Sequence, residues 1–108
     1  MKGDLSQWEF VNPTLRKILL QAEKAAGFEF TMTSLYRPGD KGVHGTIPLR
    51  GIDVRVRLPA VGEAIADYIN ARWQYDSERP AMCCAVLHGK GANLHLHVQV
   101  HPRTQGWP

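Results

Sequence analysis

Two stretches alternate with a strict period of two, and they constrain the fold more than anything else in the chain. "IDVRVRL" sets Ile52, Val54, Val56 and Leu58 on one side and Asp53, Arg55 and Arg57 on the other. "NLHLHVQVH" sets Leu94, Leu96, Val98 and Val100 against His95, His97, Gln99 and His101. Successive side chains of a strand point to opposite faces. Each stretch therefore reads as a strand with one face for a core and one polar face. If the apolar faces share a core, Asp53 and the His95/His97 pair share the opposite face of one sheet.

The rest of the chain supplies what covers the apolar face. Asn12 is a good helix N-cap and Pro13 suits the first helical position, so a helix is expected to begin there. Leu15, Ile18, Leu19, Ala22 and Ala26 fall on one face of it, and Gly27 stops it. "FEFTMTSL" is aromatic and β-branched and reads as a strand. "YRPGDKGVHGTIPLRG" is a long Gly- and Pro-rich loop, a type that is usually functional or disordered. A second helix is expected from about Val61 to Trp73, with Val61, Ile65, Tyr68, Ile69 and Trp73 as its apolar stripe. "QYDSERP" reads as a connection, and the nearly uncharged "AMCCAVLH" as a central strand. "GKGAN" reads as a turn before the final strand, and the tail after His101 as ordered coil or a frayed end. Clean alternation favours an antiparallel sheet with one polar face, giving an α+β domain with two helices on the other face.

The chain of 108 residues fits a single domain, 1–108, with one core. No apolar run approaches the roughly 20 residues that span a bilayer. The start, "MKGDLSQWEF", has no apolar stretch behind its lysine and does not read as a secretory signal. Synthesis in the cytoplasm is expected, with release to the cell wall or carriage in a phage particle as the route outward. The formal net charge of +3 is a weak basic bias. Its scattered residues read as solvated surface, without a membrane or nucleic-acid partner. A small nucleic-acid binder using Arg55, Arg57 and Trp73 is the lesser alternative. Cys83 and Cys84 are adjacent, so they point apart and read as small buried hydrophobes rather than a disulfide or a metal clamp.

Two imidazoles and a carboxylate are a usual ligand set for catalytic zinc, with a water in the fourth position. His44 lies in the long loop just before the strand of Asp53, and the loop could fold it over the polar face. A histidine one strand-step from a ligand can carry a proton or orient the water.

"TSLYRPGDKGVHGTIPLRGIDV", followed by "HGKGANLHLHV", resembles the zinc D-Ala-D-Ala carboxypeptidases and dipeptidases, whose fold is shared with the Hedgehog signalling domain. The shared pattern is a Ser-x-Tyr-Arg strand end, a loop carrying a histidine and then an aspartate, and a late strand bearing His-x-His or Trp-His. The resemblance covers about residues 12–100. It implies a metal site on the polar face of the sheet, with Zn2+ held by His44, Asp53 and His97. It also implies that His95 flanks the metal, that Arg37 holds a substrate carboxylate, and that Ser34 fixes the local turn or touches substrate. The implied activity is hydrolysis of peptidoglycan stem-peptide bonds next to a D-amino acid, and the implied partner is a peptidoglycan peptide.

Two departures stand out. Eight residues separate His44 from Asp53, against six in the family. The glutamate that serves the family as general base, a few residues before the last histidine, has no counterpart between His88 and His97. His88 can take that role, or Asp76 or Glu78 can reach in from the "YDSERP" connection. The remaining possibility is a non-catalytic, metal-stabilised interaction domain of a phage or prophage component.

Overall fold

The computed structural model describes residues 1–3, 8–34 and 48–107. After a short 3-10 turn at Trp8–Phe10, helix α1 spans Pro13–Ala26 and leads to strand β1, Met32–Ser34. Strand β2 is Gly51–Arg55, helix α2 is Pro59–Arg72, and β3 is the two-residue Trp73–Gln74. Strand β4, Ala85–His88, is followed by a 3-10 turn at Gly91–Asn93, then β5, His95–Gln99, and β6, Gln105–Gly106. Four strands form one antiparallel sheet in the order β1-β2-β5-β4, and β3 pairs with β6 in a separate two-stranded ribbon. Among the described residues no helix is long and apolar enough to cross a membrane.

Helix α1 starts and stops where the local chemistry dictates. The Asn12 side chain accepts from the backbone N–H groups of Thr14 and Leu15, two donors that the helix itself leaves without partners. Gly27 ends the helix in the left-handed region at φ 81°, where a residue without Cβ is unstrained. Leu15, Ile18, Leu19 and Ala22 are the residues it buries. They meet Ile52, Val54, Leu96 and Val98 from the apolar face of β2 and β5, in a core that also holds Phe30, Leu49, Ile69 and Val100. Truncating a fully buried leucine such as Leu96 to alanine costs about 2–5 kcal/mol in a core of this kind.

Helix α2 begins with Pro59 at its first position and turns a different face inward from the expected stripe. Gly62, Ile65, Ala66 and Ile69 are buried, whereas Val61 is exposed. The reason is close approach to the sheet: a Cβ on Gly62 would sit 2.6 Å from Leu87 Cδ1 and 3.0 Å from Val56 Cγ1. Trp73 is not on the helix but opens β3, with its indole N–H donating to Gln21 Oε1 at 3.0 Å.

Strand β4 lies at the sheet edge, not at its centre. Its uncharged sequence reflects cover by α2, since Ala85 is buried and Leu87 packs against the core. The Asn70 carboxamide replaces a neighbouring strand, donating to the Ala85 carbonyl at 2.9 Å and accepting the Ala85 N–H at 3.0 Å. Cys84 is buried but Cys83 is exposed, which corrects the expectation that both are core residues; both thiols are free. The residues after His101 form a defined turn and β6, and the Trp107 N–H bonds to the Arg72 carbonyl at 2.9 Å.

Candidate functional site

Register decides which side chains meet on the polar face. Asp53 on β2 is opposite His97 on β5, which is opposite Val86 on β4. One strand-step away, Arg55 is opposite His95, which is opposite His88. Directly opposed residues in an antiparallel pair share a face, with Cβ atoms about 5 Å apart. Two cross-strand rows thus put one carboxylate and three imidazoles together, over an open cavity of about 490 Å³ lined by Asp53, Val86, His88, His95 and His97. The burial pattern of β5 agrees, with Leu96 and Val98 buried and His95, His97 and Gln99 partly exposed.

Asp53 Oδ1 lies 2.8 Å from His97 Nδ1. Asp53 is buried, and a buried carboxylate requires hydrogen bonds or a positive partner to offset lost hydration. On the other side of the ring, His97 Nε2 lies 3.1 Å from Gln99 Oε1. The Gln99 amide cannot be turned around, because its Nε2 donates to the Cys83 carbonyl at 2.9 Å. Both imidazole nitrogens of His97 therefore face oxygen acceptors. A neutral imidazole has only one N–H. The proton of that ring can sit on either nitrogen, donating to Asp53 from Nδ1 or to Gln99 from Nε2.

Asp53 and His97 are two donors of types that zinc takes, a carboxylate and an imidazole. Tetrahedral zinc with ligand bonds near 2.0–2.2 Å holds its donor atoms about 3.3 Å apart. The Asp53/His97 pair would open by roughly half an ångström to reach that spacing. His97 would ligate through Nδ1 and keep its Nε2–H for Gln99. His44 lies outside the described residues, as does Arg37. Ser34 pairs in register with Asp53, and its side chain also lies outside the described part. Among the described residues alone, no group of three or more His, Cys, Asp or Glu side chains is placed to hold a metal.

His95 and His88 stand beside this pair, with ring centroids 5.3 Å apart. His95 Nδ1 lies 2.8 Å from the Asn93 carbonyl, which can only accept, so Nδ1 carries the proton. In the neutral ring this leaves the Nε2 lone pair of His95 as the basic atom.

His101 does not belong to the polar face, although the alternation put it there. β5 ends at Gln99, and Pro102 has no N–H to extend a ladder. A turn closed by the Thr104 N–H on the His101 carbonyl carries the ring away. Its Nδ1 accepts the Arg103 N–H at 3.1 Å, and the ring packs at 5.8 Å from Tyr75.

Asp76 and Glu78 are also elsewhere. Asp76 has no exposed surface, yet its cover is thin, being made by the half-exposed side chains of Arg103 and Arg79. Arg103 donates through Nε to Oδ1 at 2.8 Å and through Nη2 to Oδ2 at 2.9 Å, Arg79 donates to Oδ2 at 2.9 Å, and the Glu78 N–H donates to Oδ1 at 2.9 Å. The Arg103 hydrogen bonds, with smaller contributions from the Glu78 N–H and Arg79, hold the Asp76 carboxyl far below the ordinary aspartate range against the opposing effect of desolvation. Glu78 lies 3.2 Å from Arg103 Nη2. Neither carboxylate lines the histidine cavity, so neither is placed to act as a base there.

Two contributors went unassigned in the sequence. Gln99 follows the same alternation as His95 and His97, which was the available signal. Asn70 gave none, because its partner is a backbone fifteen residues away. A second cavity of about 440 Å³ lies between α1 and α2, lined by alanines with Phe28, Val61, Ile65 and Tyr68. Among the described residues lining it, Tyr68 is the one titratable group, and they offer no cluster comparable to the histidine face. Comparisons of the sequence and the structure with protein-family models, curated proteins and solved structures each find no match.

Proposed function

We propose that this protein is a zinc metallopeptidase that hydrolyses peptidoglycan stem peptides next to a D-amino acid, with His44, Asp53 and His97 as metal ligands. The observation that carries the reading is the 2.8 Å approach of Asp53 Oδ1 to His97 Nδ1, with Gln99 holding the opposite nitrogen. The resemblance of "SLYR" and "HLH" to the zinc D-Ala-D-Ala peptidases supplies the substrate class. When bound, zinc supplies Lewis acidity toward a peptide carbonyl and makes a coordinated water acidic near neutral pH. The chain's own residues do the rest. His95, with Nδ1–H held by the Asn93 carbonyl, offers Nε2 to take a proton and return it to the leaving amine. His88 stands close enough to share that work. Arg37 pairs with the substrate carboxylate, a task for which the guanidinium fork is well shaped.

The test is metal analysis of the purified protein, followed by turnover of muropeptides with and without chelator. The proposal expects stoichiometric zinc, chelator-sensitive cleavage, and a fall in kcat of about 100-fold or more in His95→Ala with zinc retained.

One observation favours a second reading, a non-catalytic metal-binding domain of a phage or prophage component. Asp53 is the sole carboxylate among the described residues lining the cavity, and it is assigned to the metal. Stoichiometric zinc with no cleavage of any stem peptide would select this reading over the first.

A further inference from the structure

Helices α1 and α2 do not close on each other. Ala22, Ala25 and Ala26 of α1, with Ala60 and Ala64 of α2, line the cavity of about 440 Å³ between them. Short side chains at a helix contact allow a close approach, yet here they leave a groove, with the buried Ile65 among its lining residues. Phe28 and Val61 line one end and also line an adjoining cavity of about 390 Å³, so the two spaces are continuous. Phe28, Val61 and Leu58, which lines the adjoining cavity, are 46%, 36% and 63% exposed. Single exposed apolar side chains are ordinary, but a group gathered around one opening marks a binding surface.

The cations at the two ends differ in what they hold. At the Tyr68 end, Arg72 lies 3.7 Å from the Tyr68 ring centroid and donates to the Tyr68 carbonyl at 3.1 Å. At the other end Arg55 and Arg57 line the adjoining cavity, and among the described residues neither makes an ion pair or a side-chain hydrogen bond. Glu29, the one carboxylate among the described residues lining that cavity, is met by the Met1 amine at 3.4 Å and Lys2 Nζ at 4.0 Å. The groove is therefore apolar along α2 and opens onto two uncommitted guanidinium groups.

We propose that this groove binds a single-chain aliphatic carboxylate, its alkyl chain lying between α1 and α2 and its carboxylate at Arg55 and Arg57. Small-molecule sites are typically apolar concavities in which a few polar groups fix the ligand's orientation. A guanidinium fork matches a carboxylate, and from Val61 to Tyr68 the helix offers about 10 Å of apolar wall. The site is on the helix side of the sheet and does not rest on the zinc reading.

The probes are sodium hexanoate, octanoate and decanoate below their critical micelle concentrations, with decanol as the uncharged control and phosphatidylglycerol vesicles as a membrane control. Binding is followed by 1H-15N NMR titration of the full chain. Decanoate should saturate one site, shifting the amides of Phe28, Val61, Ala64 and Tyr68, and affinity should rise about 2- to 4-fold per added methylene. Ala64→Phe, at an exposed position that tolerates bulk, should fill the groove and abolish saturation. Arg55→Gln combined with Arg57→Gln should weaken decanoate about 5-fold or more and leave decanol unchanged. Absence of saturable decanoate binding would overturn the proposal, as would affinity independent of chain length or undiminished in Ala64→Phe. Equal loss of decanoate and decanol in the arginine variant would remove the carboxylate from its assigned place. Sedimentation of the protein with vesicles, without binding of monomeric decanoate, would show a membrane surface instead.

Discussion

Asp53 and Asp76 show two ways in which this chain accommodates a buried carboxylate. Asp53 is met at 2.8 Å by the His97 ring, whose other nitrogen faces Gln99. Around Asp76 the positive groups are built in, with Arg103 and Arg79 closing over the carboxylate. Because the Asp76 pKa is lowered on folding, its contribution to stability is complete above the ordinary aspartate pKa of about 3.9 and declines as the pH falls below that value toward the folded-state one. Denaturant midpoints of wild type and Asp76→Asn should therefore differ most at neutral pH and converge on acidification below about pH 4. A gap that stays constant across that range would show that the carboxylate charge is not what stabilises the turn. The two cysteines separate on the same physical grounds. Burial pushes the Cys84 thiol up to about 12, whereas Cys83 is exposed. A thiol reagent at neutral pH should label Cys83 readily and Cys84 only on unfolding.

At the scale of elements, α1 was legible because its signals are local. Asn12, Pro13 and Gly27 mark its ends and the i, i+3, i+4 spacing marks its buried face. The parity of β2 and β5 was equally legible within the strands, since one residue of slip would turn every leucine and valine outward, but Leu58, expected on the core face, is exposed because β2 ends at Arg55 and Leu58 stands at the start of α2. What failed depended on neighbours distant in sequence. β4 reads as central because it is uncharged, but its cover comes from α2 and its outer hydrogen bonds from Asn70. The α2 stripe was misplaced because Gly62, which carries no hydrophobic signal, marks the face nearest the sheet. Asn70→Ala should cost about 1–3 kcal/mol, from two lost hydrogen bonds and an edge amide and carbonyl left without their partner. Equilibrium denaturation measures this, and an unchanged midpoint would mean that water replaces the carboxamide without loss. Asn12→Ala should cost about 1 kcal/mol through the loss of the helix cap.

Across the whole molecule, the sheet divides the labour between its faces. One face, under both helices, holds the apolar core; the other carries the two rows Asp53/His97/Val86 and Arg55/His95/His88. The chain order of these residues does not suggest their proximity, since Asp53 and His97 are 44 positions apart. Alternation alone put them on one face, and register brought them opposite each other. His101 escaped the pattern because a proline ends the ladder just after it, a break that outranks parity. The account stands or falls on whether Asp53 and His97 share a metal ion. The most direct measurement is calorimetric titration of zinc into the metal-free protein and into Asp53→Ala and His97→Ala. The account predicts stoichiometric binding by the wild type, weakened more than about 100-fold in each variant. Zinc affinity that survives both substitutions, or that is absent from the wild type, would contradict it.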